Sequence, residues 1–219
     1  MNKNIIFDMD MVLCISRPAL RRAMDIYFKP LGIKSRFDDD SPLAGKNEKF
    51  IFKSICEQNS VKYQDYFLDD ILNIYEKIAP SEVLAVEGAK KTVLALKEKG
   101  FKIGVASSAN LKKVLANIKA IGLNETDFDA IVSADDVENA KPEPDVYLKC
   151  AKKIGAEPKN CIAIDDAVNG VISAKRANML TVGFLTNRSK KDLIDAGADI
   201  TFNSFDKFLN WVLKDKYNG

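Results

Sequence analysis

The sequence predicts an α/β fold in which helices flank a parallel sheet and a helical segment is inserted after the first strand. Three observations carry this. From about Glu87 onward, short β-branched runs alternate with stretches of helical periodicity, the pattern of stacked βαβ units. An apolar strand stands near the start of the sequence. Between the two, residues 17 to 79 carry helical stripes and no convincing strand.

In chain order, Asn2 to Phe7 forms a buried strand. The insertion then runs from near Ile15 to near Val86, with Leu20, Ala23, Met24 and Tyr27 on one helical stripe and Leu68, Ile71, Leu72 and Tyr75 on another. The chain therefore divides into a core of residues 1–14 and 87–219 and an inserted region of residues 15–86. The insertion sits over the carboxyl end of the first strand, where open α/β sheets bind ligands. Beyond it, Lys102 to Val105, Ala130 to Val132, Cys161 to Ile164, Leu180 to Phe184 and Ile200 to Phe202 read as strands. Leu111, Val114, Leu115, Ile118 and Ile121 form one apolar helical stripe between two of them, and Gly100 and Gly122 supply helix stops.

Composition removes several mechanisms. The 219 residues include no histidine, which excludes a Ser-His-Asp triad, a Cys-His dyad, a zinc-histidine site and a histidine pH switch. Acid/base chemistry falls on carboxylates, lysines or water. Lys and Arg number 33 against 31 Asp and Glu, a net +2 that gives no general field for nucleic acid or an anionic membrane. The four cysteines show no CxxC pair and read as reduced thiols. The first apolar stretch is cut at Asp8, leaving no signal-peptide core, and no run approaches a membrane span. A soluble, cytoplasmic protein is expected. No P-loop or G-x-G-x-x-G occurs.

Four strand ends carry the chemistry. The first delivers Asp8 and Asp10, separated by one residue. The next ends in Ser107-Ser108-Ala109-Asn110, hydroxyls ahead of a helix start whose free N–H groups can hold an anion. Lys141 precedes Pro142, and Asp165-Asp166 closes a buried strand. Taken singly, the acidic pair reads as a turn or helix cap, the serines as a cap and Lys141 as a surface lysine. Their conjunction points to phosphoryl transfer through an aspartyl-phosphate. Asp8 is the expected nucleophile, ionised because an aspartate's reference pKa is about 3.9. Asp10 is the expected general acid and base, which requires a raised pKa. Mg²⁺, a hard cation taking oxygen ligands, fits Asp8, the main-chain carbonyl of Asp10 and Asp166, with Asp165 as a further ligand or a supporting group. Ser107 and nearby N–H groups, Ser108 and Asn110 among them, would hold the phosphoryl oxygens. Lys141 would offset the charge of Asp8 and the phosphate.

DxDxV at 8 to 12, the hydroxyl of Ser107, Lys-Pro-x-Pro-Asp at 141 to 145 and Asp-Asp-x-x-x-Gly at 165 to 170 resemble the haloacid dehalogenase superfamily. They are similar to its branch of phosphoglycolate phosphatase-like and β-phosphoglucomutase-like enzymes, over nearly the whole chain. The resemblance implies a Rossmann-like core, a helical cap at the insertion and a cap motion that exchanges substrate and product. Three positions depart from the family's pattern. Met11 stands where glycine is usual and Ile15 where an acid is common. Leu20 stands where the mutases place a histidine, so a phosphatase of a small phosphorylated metabolite, such as a sugar phosphate, is the preferred reading. A β-phosphoglucomutase-like mutase and a non-enzymatic phospho-ligand or partner-binding module are the alternatives. A dehalogenase is disfavoured by Asp10. In the cap, Arg17 and Arg21 form an i, i+4 pair, and Ser16, Lys46, Asn47 and Lys49 add polar reach. The resemblance places the loop around Gly45 at the site, where Lys46 or Asn47 could read the leaving group; the same charges also suit a solvated helix face. Asp38-Asp39-Asp40 argues against a basic funnel. The expected partner is a small metabolite, with no nucleic acid and no membrane, for a monomer or weak homo-oligomer.

Overall fold

The computed structural model describes residues 3–35 and 46–214. Asp38 to Asp40 and Gly45 lie outside the described residues, as does Asn2 at the start of the expected first strand.

Six strands pair in parallel in the order β5-β4-β1-β6-β7-β8. They are β1 (Asn4–Phe7), β4 (Lys102–Ala106), β5 (Ala130–Val132), β6 (Cys161–Asp165), β7 (Leu180–Phe184) and β8 (Ile200–Phe202). β1 is central, with Phe7 level with Val105 on one side and Ile164 on the other. The chain builds outward from β1 through β4 to β5, then crosses back to β6 on the other side. That reversal opens a crevice at the carboxyl ends of β1 and β6.

Alternation along β1 explains the layers. Ile5 and Phe7 face one apolar cluster and Ile6 the other. The first cluster takes in α4 (Ala89–Glu98), α5 (Leu111–Ala120) and α9 (Phe205–Leu213), and the second α6 (Asp145–Lys153) and α7 (Val168–Arg176). A shorter helix, α8 (Lys190–Asp195), places Leu193 against Val171 and Ala198. Gly100 and Gly122, at φ 76° and 73°, follow α4 and α5 in the left-handed region where glycine is unstrained.

The insertion consists of α1 (Arg17–Phe28), α2 (Glu48–Gln58) and α3 (Tyr66–Glu82). Phe28 packs edge-on against Phe52 and Phe67 at 6.2 and 6.1 Å between ring centroids, tying the three helices together. Their apolar interior is continuous with the cluster beneath β1. The sequence reading missed a two-stranded antiparallel ribbon, β2 (Cys14–Ile15) and β3 (Leu84–Ala85), through which the chain enters and leaves these helices. Pairs this short leave no periodic signal. The expected stripe on α5 also needs correction. Val114, Ile118 and Ile121 are buried, but Leu111 is exposed and Leu115 half-buried, while Lys113 and Asn117 turn inward. Their interior positions lead directly to the site.

Candidate active site

Asp8 follows β1, and its amide extends the ladder by bonding Ile164 O at 2.9 Å. Its carboxylate is thereby aimed at the end of β6. Lys141 Nζ lies 2.6 Å from Asp8 Oδ1, 2.8 Å from Asp165 Oδ2 and 3.0 Å from Ala106 O. Asp165 is pinned at both oxygens: Tyr147 OH donates to Oδ2 at 2.6 Å and Ala167 N to Oδ1 at 2.9 Å. Burial works against the Lys141 ammonium, but the Asp165 and Asp8 carboxylates outweigh it and raise its pKa.

The expectation that Asp8 is ionised by default is corrected here. Burial pushes its carboxyl up to about 7, and Asp165 and Asp10 add to the rise against the opposing pull of Lys141. Asp166 is raised well above the usual carboxylate range by burial and then by Asp165 and Asp8. One oxygen from each of Asp8, Asp165 and Asp166 lies within 4.8 Å of the others. The raised values of Asp8 and Asp166 show that ionising all three carboxylates together is unfavourable even with Lys141 between them and Arg17 acting on Asp166. The donor set therefore fits a hard cation.

Asp10 is held differently. Ser16 Oγ donates to its Oδ1 in a close contact, Lys113 Nζ lies 2.8 Å from Oδ2, and Asn117 Nδ2 lies 3.4 Å from Oδ1. Ser16 precedes α1 without capping it, because its hydroxyl is turned to Asp10. A raised Asp10 pKa was expected, and the structure reverses it. Burial acts to raise it, but the charge and hydrogen bond of Lys113 prevail and hold it below the usual value.

The serines and the cap residues separate into two groups. Ser107 and Ser108 line a cavity of about 660 Å³ together with Asp8, Asp10, Lys141, Asp165 and Asp166. Arg17 and Lys46 face it from the insertion, whereas Arg21 is not among its lining residues. Asn47 caps α2, accepting from Phe50 N at 2.9 Å, and does not line this cavity. Lys49 pairs with Asp65 at 3.3 Å on the exposed side. Asn110 caps α5 through Lys112 N, and its amide is held by Asp135. Two of the N–H groups expected to await an anion are already taken: Glu48 Oε2 accepts from Asn110 N and Asp135 Oδ2 from Leu111 N, at 2.7 and 2.8 Å. Two of the chain's own carboxylates occupy that helix end. Ser107 Oγ accepts from Ala109 N at 3.1 Å, so its hydroxyl hydrogen is available to a phosphoryl oxygen.

Sequence reasoning missed Glu48, Lys113, Asn117 and Tyr147. A signal existed for two of them: Lys113 and Asn117 sit four residues apart, each one position before the buried Val114 and Ile118. That spacing puts the two side chains together on one edge of the stripe, and the structure turns that edge inward.

Comparisons with known proteins agree with this arrangement. A family model described as haloacid dehalogenase-like hydrolase matches residues 5–184. The chain is 40% identical over 202 residues to the chloroplastic protein Suppressor of Quenching 1 of Arabidopsis thaliana, covering 90% of this chain and 19% of that protein. It is 28% identical over 218 residues to a phosphorylated carbohydrates phosphatase of Thermotoga maritima, covering 96% of this chain and 98% of that one. A crystal structure of a hydrolase from Pseudomonas syringae superposes with a TM-score of 0.76 at 26% identity, over 95% of this chain and 97% of that chain. The chain spans about a fifth of the Arabidopsis protein and about half or less of several other curated relatives. Among the described residues no helix is long and apolar enough to cross a membrane. With the acidic cluster at the carboxyl edge of a parallel sheet, helices inserted after its first strand and a family model matching from β1 to β7, the chain belongs to the haloacid dehalogenase-like hydrolases.

Proposed function

We propose that this chain is a Mg²⁺-dependent phosphatase that hydrolyses a small phosphorylated metabolite, a sugar phosphate being the favoured type, through an aspartyl-phosphate on Asp8. The observation that carries the reading is the convergence of Asp8, Asp165 and Asp166 around Lys141 on the floor of a cavity of about 660 Å³. That volume suits a small metabolite. The T. maritima phosphatase named for phosphorylated carbohydrates supports the substrate class.

Asp8, in the carboxylate form that Lys141 and a bound cation would favour, attacks phosphorus; the bond from phosphorus to the ester oxygen breaks, and Asp10, protonated from water as the phosphate dianion enters, gives that proton to the departing oxygen. Water then loses a proton to Asp10 and attacks the phosphoryl group, releasing phosphate and the Asp8 carboxylate. Lys113 holds Asp10 ionised in the substrate-free site, ready as the base of the second step. An arriving phosphate dianion opposes Lys113 and favours the protonated form needed for the first. Ser107 and Lys141 bind and neutralise the phosphoryl oxygens. Mg²⁺ would be held by Asp8 and Asp166 with the Asp10 carbonyl and would supply charge neutralisation. Asp165, engaged at both oxygens, acts by holding Lys141.

Residues 15–86 form the cap in this reading, hinged at the β2–β3 ribbon, with Arg17 and Lys46 facing the leaving group. Leu20 at the cavity wall puts a group without a titratable proton on α1, which supports hydrolysis over a mutase reaction. The four buried free thiols support a reducing, cytoplasmic setting.

The test is Mg²⁺-dependent phosphate release from an aryl phosphate, with Asp8→Asn inactive and Asp10→Asn strongly impaired. Turnover that survives Asp8→Asn overturns the mechanism. Conversion of a hexose 1-phosphate to the 6-phosphate without free sugar overturns the phosphatase assignment, and a panel of phosphorylated metabolites identifies the substrate.

A further inference from the structure

We propose that Lys113 is a positioning residue for Asp10 and that Glu48, carried in on α2, holds Lys113 in place, so that seating the inserted helices and orienting the Asp10 carboxylate are one event. The catalytic part of this inference rests on the phosphatase reading; the structural part does not.

Lys113 Nζ lies 2.8 Å from Asp10 Oδ2 and 3.4 Å from Glu48 Oε1, with the lysine side chain 5% and the glutamate 2% exposed. A lysine stem has four rotatable bonds, and one acceptor does not define its path; two carboxylates on different elements do. Glu48 is itself fixed. Its other oxygen accepts from Asn110 N at 2.7 Å, one turn before Lys113 on the same helix. The glutamate thus bridges the backbone and the side chain of α5, and α2 cannot withdraw without breaking both contacts. Doing so would leave the ammonium with a single anionic partner and return the Asn110 amide to solvent. A second strut runs in parallel: Tyr75 OH of α3 donates to Asn117 Oδ1 in a close contact, and Asn117 Nδ2 faces Asp10. Lys113 and Asn117, at i and i+4, therefore tie two inserted helices to one carboxylate.

Glu48 also lines the cavity, so direct contact with substrate is the rival role. Kinetics with an aryl phosphate, whose leaving group offers no hydroxyl for Glu48 to read, separate the two. Lys113→Met and Glu48→Ala are each expected to lower kcat by about tenfold or more while KM stays within about twofold. The double variant is expected to be no slower than Lys113→Met alone, because Glu48 acts through the lysine. Factors that multiply in the double variant, or a raised KM with kcat unmoved, overturn the proposal. Amide hydrogen exchange at Asn110 needs no turnover and is expected to be about tenfold faster or more in Glu48→Ala; unchanged protection overturns the bridge. If Lys113→Met does not fold, the kcat and the Asn110 exchange of Glu48→Ala decide, unchanged values again counting against it. A wild-type chain that turns over no phosphomonoester removes the phosphatase reading, while the exchange measurement still tests the bridge.

Discussion

Gly170 stands so close to Asp165 that a Cβ built on it would lie 1.9 Å from Oδ2 and 2.1 Å from Oδ1. The first turn of α7 is thus the surface against which the Asp165 carboxylate rests. Gly170→Ala is expected to push that carboxylate off Lys141, with a loss of about 1–3 kcal/mol in stability from overpacking and a marked fall in kcat. Denaturant midpoints and steady-state rates check this. An alanine variant with native stability and rate would show that the carboxylate has room to move.

Tyr147 is the third donor to Asp165. Removing its hydroxyl in Tyr147→Phe keeps the ring but deprives a buried carboxylate of a 2.6 Å hydrogen bond. A loss of about 1–3 kcal/mol is expected. The fall in kcat should be smaller than for Gly170→Ala, since Lys141 and the Ala167 amide still hold Asp165.

Asp8 sets a pH dependence. Its folded pKa, about 7, lies above the ordinary aspartate value, so the metal-free protein binds that proton more tightly than the unfolded chain does. The associated stability is fully present below the unfolded value and is lost as pH rises through about 7. Mg²⁺ competes with the same proton. Added Mg²⁺ is therefore expected to raise the Tm more at pH 8 than at pH 5, and Asp8→Asn should flatten that difference. Equal shifts at both pH values would separate the metal from this carboxylate.

Met11 adopts φ 64°, lines the cavity and accepts a hydrogen bond from Thr186 Oγ1 at its carbonyl. The left-handed region costs a non-glycine residue about 1–2 kcal/mol, partly balanced by the extra unfolded-state freedom of glycine, about 0.5–1 kcal/mol. Met11→Gly is expected to leave the Tm equal or slightly higher and to widen the range of phosphomonoesters accepted. A lower Tm would show that the side chain's packing outweighs the backbone strain.

The elements that were legible in the sequence are those whose signal is local. Each β strand of the main sheet ends an apolar run, and Asp8, Asp165 and Asp166 stand where such runs stop. Lys113 and Asp10 are 103 residues apart and Asn110 and Glu48 are 62 apart, so nothing in either neighbourhood announces their meeting. Asn110 and Asn47 show the converse ambiguity, since the residue types that bind phosphate also cap helices, and here capping uses their side chains. The reversed pKa of Asp10 and the raised one of Asp8 follow from burial and from partners supplied by distant elements.

The ribbon of Cys14–Ile15 with Leu84–Ala85 has a consequence for how such a molecule changes over time. Because Cys14 pairs with Ala85 and Ile15 with Leu84, the two ends of the insertion stand about 5 Å apart, the spacing of paired strands. In connectivity, the whole helical segment leaves and rejoins the core at one place, as a hairpin loop does. A replacement of any length joined there would leave the strands that carry the carboxylates paired as they are. Such a segment would have to be refitted to α5 through the contacts now made by Glu48 and Tyr75 and through the apolar cluster that the two regions share.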